Sequence, residues 1–278
     1  MKGRPDYLAH GILLLGVALF VFPIWVMLAG ATQSAGAIAR GGLSLMPDFR
    51  HLGIFWQALF AGGTSRQGDP VWHMLLVSFV MALVIAAGKI FISVLSAFAV
   101  VFFRFPFRKL AFWTIFLTLM LPIEVRIIPS FAVVSSLAMV NNFGGLTLPL
   151  MASATATLLF RQVFTALPDE LVEAAKLDGA RPLQFLRDMV LPVSRANFAA
   201  LFVILFVYGW NQYLWPLLVA SSPAYTTVVL GIVQMMAPDQ MTPWNLIMAI
   251  TTLALLPPVA VVVLLQRAFV RGLAEIDK

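Results

Sequence analysis

Residues 75–88 read LLVSFVMALVIAAG, and this run decides the fold. Its apolar residues fall on every side of a helix and never alternate. That pattern excludes a transmembrane β-strand, in which lipid-facing and lumen-facing residues take turns. A helix needs about 20 apolar residues to cross the hydrocarbon core, and apolar sequence continues on both sides of the run over about 71–103, interrupted by a single lysine, Lys89. The composition agrees: of 278 residues 61% are hydrophobic and 11% charged, against about 45–50% and about 25% in soluble domains. The chain has no cysteine, which removes thiolate catalysis, Fe–S clusters and cysteine zinc sites.

Six such spans are expected, over about 11–31, 71–103, 110–134, 145–163, 198–221 and 244–266. Lys2 and Arg4 before the first span, with Ala29-Gly30-Ala31 after it, have the outline of a signal peptide. The apolar stretch is longer than the usual h-region of about 7–15 residues, so a retained span is expected. The basic residues set the orientation. With the N-terminus in the cytoplasm, 13 of the 18 Lys and Arg lie on the inner side and only Arg40, Arg50 and Arg66 outside. This is a positive-inside distribution. The expectation is therefore an all-α integral membrane protein, a single domain with six transmembrane helices and both termini cytoplasmic. The first outer loop is rich in glycine, and His51 to Phe60 has the length of a short interfacial helix.

The connection over 164–197 carries the chemistry. Pro168 suits a helix's first position, with Asp169 and Glu170 at its positive end. Gly179 is placed to close that helix in the left-handed conformation. Pro182 can start a second helix, along which Leu183, Leu186, Met189 and Val190 recur at helical spacing. The loop reads as two short helices about a glycine hinge. Ala174 and Ala175 leave a shallow place for a partner's side chains, bordered by Glu173 and Asp178.

The spacing of Glu173-Ala174-Ala175, Gly179, Met189 and Leu191-Pro192 resembles the EAA motif of binding-protein-dependent ABC importer permeases, with Met189 where isoleucine is usual. That exchange conserves volume. Trp210-Asn211-Gln212-Tyr213-Leu214-Trp215-Pro216 and Pro122-Ile123-Glu124-Val125-Arg126-Ile127-Ile128-Pro129 are similar to segments of the group that imports sugars, polyols and glycerol phosphates. The resemblance implies the ABC importer permease fold, with 164–197 as a coupling loop. Glu173, Ala174, Ala175, Asp178, Gly179, Leu191 and Pro192 would serve docking on a cytoplasmic ATPase, a form of helix-in-groove recognition. It also implies a second homologous permease forming a pseudo-symmetric pair, two ATPase subunits that hold ATP with Mg, and a periplasmic or extracellular solute-binding protein. No cofactor on this chain and no nucleic-acid partner are implied. The setting would be the bacterial inner membrane, and the solute sn-glycerol 3-phosphate.

Three charges fall inside spans. A charge at mid-bilayer costs about 2.5–3.5 kcal/mol on insertion scales, so each calls for a partner or a role. Lys89 lies 17 residues before the turn at Pro106 and Glu124 lies 18 after it, which puts them at one depth and able to pair across the hairpin. Arg126 is offset from Glu124 by about 200° on an ideal helix. It suits either the outer interface or a path for an anionic solute, since a guanidinium matches phosphate bidentately. Trp210, Tyr213 and Trp215 suit an interfacial belt, and Asn211 and Gln212 a polar cavity.

The chain has no G-x-x-x-x-G-K-[ST], no H-E-x-x-H and no G-x-S-x-G, so neither nucleotide, zinc nor acyl-transfer chemistry is expected of it. Other classes remain: a permease for a neutral sugar or polyol, a stand-alone secondary transporter with Lys89, Glu124 and Arg126 as an ion relay, and a membrane scaffold. A docking helix speaks for the ATP-driven class.

Overall fold

The computed structural model describes residues 7–60, 70–118, 123–236 and 243–276, and side chains within these except for 123, 124 and 268–276. Among the described residues every regular element is helical. In chain order these are α1 (Tyr7–Ala31), α2 (Ala35–Ala39), α3 (Gly53–Phe60), α4 (Val71–Phe102), α5 (Arg108–Leu117), α6 (Ile123–Ser136), α7 (Phe143–Thr147), α8 (Ala154–Thr165), α9 (Asp169–Leu177), α10 (Pro182–Phe185), α11 (Leu191–Val193), α12 (Arg195–Trp210), α13 (Leu214–Val219), α14 (Val228–Met235) and α15 (Trp244–Ile276). A π-helical turn, Leu186–Val190, joins α10 to α11.

Among the described residues three helices are long and apolar enough to cross a membrane unaided: Tyr7–Ala31, Val71–Phe102 and Trp244–Arg267. Two further segments qualify as bent pairs. Phe143–Leu150 and Ala154–Thr165 meet at 50°, and Pro182–Val193 and Arg195–Trp210 at 80°. The segment expected over 110–134 appears as α5 and α6; Pro122 between them lies outside the described residues. The segment expected over 198–221 is not one straight helix. It begins at Arg195, ends at Trp210 and resumes at Leu214. Pro216 explains the break, because its ring would clash with the carbonyl four residues back, that of Gln212.

The chain divides into two compact units, residues 1–75 with 230–256 and residues 76–229 with 257–278. In the first, α1 is apolar all round and buried only at Ala29, Gly30 and Ala31. The loop that follows is tied to its end. The Ser44 N–H donates to the Gln33 Oε1 at 2.9 Å, and the Asp48 N–H to the Thr32 Oγ1 at 2.9 Å. The Asp48 carboxylate accepts from the Arg50 N–H at 3.0 Å, which holds its pKa below the usual carboxylate range, with His51 beside it adding to the effect.

In the second unit the lower part of α4 forms the spine. Ala82, Ile85 and Ala86 are fully buried, and α12 crosses there at Gly209, as Phe206 fills the space beside it. At one end of the unit an aromatic cluster joins α4, α8, α9, α10 and α12. At the other, Asn141, in the left-handed conformation at φ 58°, binds the chain beyond α13. Its Oδ1 accepts from the Ser222 N–H at 2.7 Å, and its backbone N–H donates to the Val219 carbonyl at 2.9 Å. An asparagine tolerates that backbone better than most residues.

Candidate functional site

Two cavities meet inside the second unit. One, of about 410 Å³, is lined by Lys89, Arg126, Ser130, Asn211, Gln212, Trp215 and neighbours. The other, of about 640 Å³, is lined by Lys89, Arg126, Ser96, Thr114, Thr118, Thr157 and neighbours. Lys89, Arg126, Ala152 and Tyr208 border both. Along α12 and the break that follows it, the first cavity is met at Tyr208, Asn211 and Gln212 and the second at Ile204, Leu205 and Tyr208. The cavities therefore extend in opposite directions from one level, and that level carries two cations.

Lys89 is only 6% exposed, and its ammonium lies 4.3 Å over the Tyr208 ring. Such a cation–π contact is worth about 2 kcal/mol when desolvated, which offsets much of the cost of a mid-membrane charge. The expected pairing with Glu124 falls on a side chain outside the described residues. Arg126, carried by α6, borders both cavities.

Asn211 and Gln212 sit at the break after α12, and both line the first cavity. The Gln212 amide folds back, donating to the Tyr208 carbonyl at 3.1 Å. The belt expected of the neighbouring tryptophans does not hold for Trp210 and Trp215, which are buried within the chain. Trp215, 2% exposed, donates its indole N–H to the Gly145 carbonyl at 3.0 Å. A buried indole N–H needs such an acceptor. No side chain fits at Gly145, where a β-carbon would collide with the Met139 carbonyl.

The 164–197 segment folds as two short helices about a hinge. Pro168 takes the N-cap position of α9 rather than the first helical one. Gly179 follows α9 with φ +68°, the left-handed conformation, and Pro182 opens α10. Glu173, Ala174 and Asp178 are exposed. Ala175 turns the other way and is buried with Phe98, Phe164, Phe185, Leu186 and Val190, with Leu191 packed against the same cluster. Of the residues expected to dock, Ala175 and Leu191 thus hold the segment to its own chain. Two residues that spacing alone did not single out for docking are Leu177 and Leu183, 89% and 70% exposed on either side of Gly179. Tyr208 was missed as well, because a tyrosine in an apolar run carries no signal of what its ring faces. Among the described residues no group of three or more metal-ligating side chains occurs.

This chain is helical throughout its described residues, with two cavities that share Lys89 and Arg126. It matches, with a TM-score of 0.81 over 97% of this chain and 99% of the other, a chain in the crystal structure of a bacterial ABC transporter involved in the import of the acidic polysaccharide alginate. At 18% identity that likeness is one of fold. Residues 89–275 match the family described as binding-protein-dependent transport system inner membrane component, and the chain belongs to that family. Relatives at 52% identity include the sn-glycerol-3-phosphate transport system permease protein UgpE of Escherichia coli (strain K12) and that of Agrobacterium fabrum, each covered over the whole length of both chains. The same protein of Salmonella typhi is 52% identical over 97% of this chain and 96% of its own.

Proposed function

We propose that this chain is one membrane subunit of an ATP-driven importer for sn-glycerol 3-phosphate, spanning the bacterial inner membrane six times with both termini in the cytoplasm. The spans are those expected over about 11–31, 71–103, 110–134, 145–163, 198–221 and 244–266, in a single permease domain. The chain performs no catalysis. It supplies half of the path and docks, through 164–197, on a separate ATPase. Its partners are a second, homologous permease, two ATPase subunits that bind ATP with Mg, and a solute-binding protein on the outer side.

The observation that carries the solute is the pair of cations, Lys89 and Arg126, at the junction of two cavities. A phosphate dianion needs compensating positive charge in a low-dielectric passage. Relatives that share 52% of the sequence bear the name of that transport system. Lys89, Glu124, Arg126, Asn211 and Gln212 are the polar residues of the path, Glu124 supplying counter-charge at the depth of Lys89. Glu173, Ala174, Asp178 and Gly179 present the docking face, joined by Leu177 and Leu183. Ala175 and Leu191 set its position, and Pro192 belongs with the docking face. The test is uptake of labelled glycerol 3-phosphate and of maltose by the reconstituted complex. ATP-dependent uptake of the phosphate ester alone is expected, and uptake of maltose alone would overturn the solute while leaving an importer.

A further inference from the structure

We infer that the junction of the two cavities is an anion station at which the Tyr208 ring competes with a phosphate monoester for the Lys89 ammonium. The class of ligand rests on the solute proposed above; the competition rests on the site itself. Lys89, Arg126 and Tyr208 border both cavities, so an anion passing from one to the other meets all three. The ammonium lies 4.3 Å over the ring. It is a compact charge with three donors on a flexible four-carbon stem, so it can leave the ring face for an oxyanion. The Arg126 fork is suited to hold the same phosphate bidentately. A passage must bind its cargo well enough to admit it and weakly enough to release it. A cation–π contact shifts such an equilibrium by roughly twofold when exposed to thirtyfold when desolvated, and the anion has to overcome that contact before it gains the ammonium. The ring therefore keeps occupancy short.

The second cavity gives the cargo a direction. Ser96 donates its hydroxyl to the Ile92 carbonyl at 2.8 Å, Thr114 to Leu110 at 3.0 Å, Thr118 to Ile115 at 2.6 Å and Thr157 to Ser153 at 2.9 Å. All four line this cavity, beside Ser153 and Thr155. The protons of the four are engaged within their own helices, so what they offer the cavity is lone pairs. Lone pairs accept from alcohol groups and repel a dianion. The phosphate stays at Lys89 and Arg126 while the hydroxylated tail enters the second cavity.

The experiment is equilibrium dialysis of inorganic phosphate and of glycerol 3-phosphate against the intact importer complex in nanodiscs, without ATP or binding protein. The wild type should bind both, the ester more tightly. Tyr208→Leu should bind inorganic phosphate roughly two- to thirtyfold more tightly and import the ester more slowly, whereas Tyr208→Phe, which keeps the ring, should match the wild type. In a Lys89→Gln background the Tyr208→Leu effect should vanish. A gain in affinity does not arise from misfolding. If Tyr208→Leu leaves phosphate affinity unchanged or weakens it while the wild type imports the ester, the competition is refuted and the solute stands. If the wild type imports no ester, the solute fails, and the inorganic phosphate measurements still decide the station.

Discussion

A β-carbon placed on Gly209 of α12 would fall 2.9 Å from the Cα of Ala82 on α4. The two helices therefore meet backbone against backbone, one residue from Tyr208 and two turns above Lys89. Small residues of this kind let membrane helices approach closely.

Enlarging that glycine should separate the helices. Gly209→Ala is expected to cost about 1–3 kcal/mol through overpacking, and thermal unfolding in detergent would measure it. Gly16→Ala, where a β-carbon meets nothing within 4 Å, should leave the melting temperature unchanged or raise it. Equal losses in the two variants would mean that the crossing is not tight.

The hinge of the 164–197 segment is open to the same kind of test. Gly179 adopts φ +68° with free space around it, so any penalty on substitution comes from the backbone. A left-handed β-branched residue is strained by roughly 1–2 kcal/mol or more. Gly179→Val should weaken co-purification of the ATPase, and Gly179→Asn should do so less. Normal association and uptake in the valine variant would remove the hinge from the mechanism.

Phe185 packs at 5.2 Å on Phe102 and at 6.2 Å on Phe98. Phe185→Ala should cost about 3–5 kcal/mol of stability and loosen the 164–197 segment from α4. The expected phenotype is ATP hydrolysis that continues while solute uptake falls, read in proteoliposomes from the ratio of the two. An unchanged ratio would show that the cluster transmits nothing.

Arg126→Gln keeps a polar side chain and removes the charge. Uptake of glycerol 3-phosphate should fall by at least about tenfold, the equivalent of 1.4 kcal/mol, with assembly on the ATPase intact. Undiminished uptake would place Arg126 outside the path.

The helical, membrane-spanning character and the hinge at Gly179 were legible in the sequence because both depend on local rules: continuous apolar runs, proline at helix starts, glycine at φ above zero. What escaped depends on which side of a helix faces which neighbour. Ala174 and Ala175 are adjacent and identical, yet one is exposed and the other buried under Phe185. Trp210 and Trp215 look like interfacial anchors until the Gly145 carbonyl is seen to receive the Trp215 indole. Tyr208 was silent for the same reason, since its importance lies in a lysine about 120 residues away in the chain.

Phe98 follows Lys89 by nine residues on the unbroken helix α4, a separation of about 13 Å. Ala175, Phe185 and Phe98 share one cluster, and packed interiors of this kind have low compressibility. The path from the proposed docking surface to the charged level of the cavity is thus a short, stiff rod seated in a solid joint. Force applied at the joint would arrive at the ammonium as a shift or roll of the rod, with little lost to bending. A lever of that length would turn a small stroke into a rearrangement of one side chain over one ring, the travel that release of an anion from the proposed station demands.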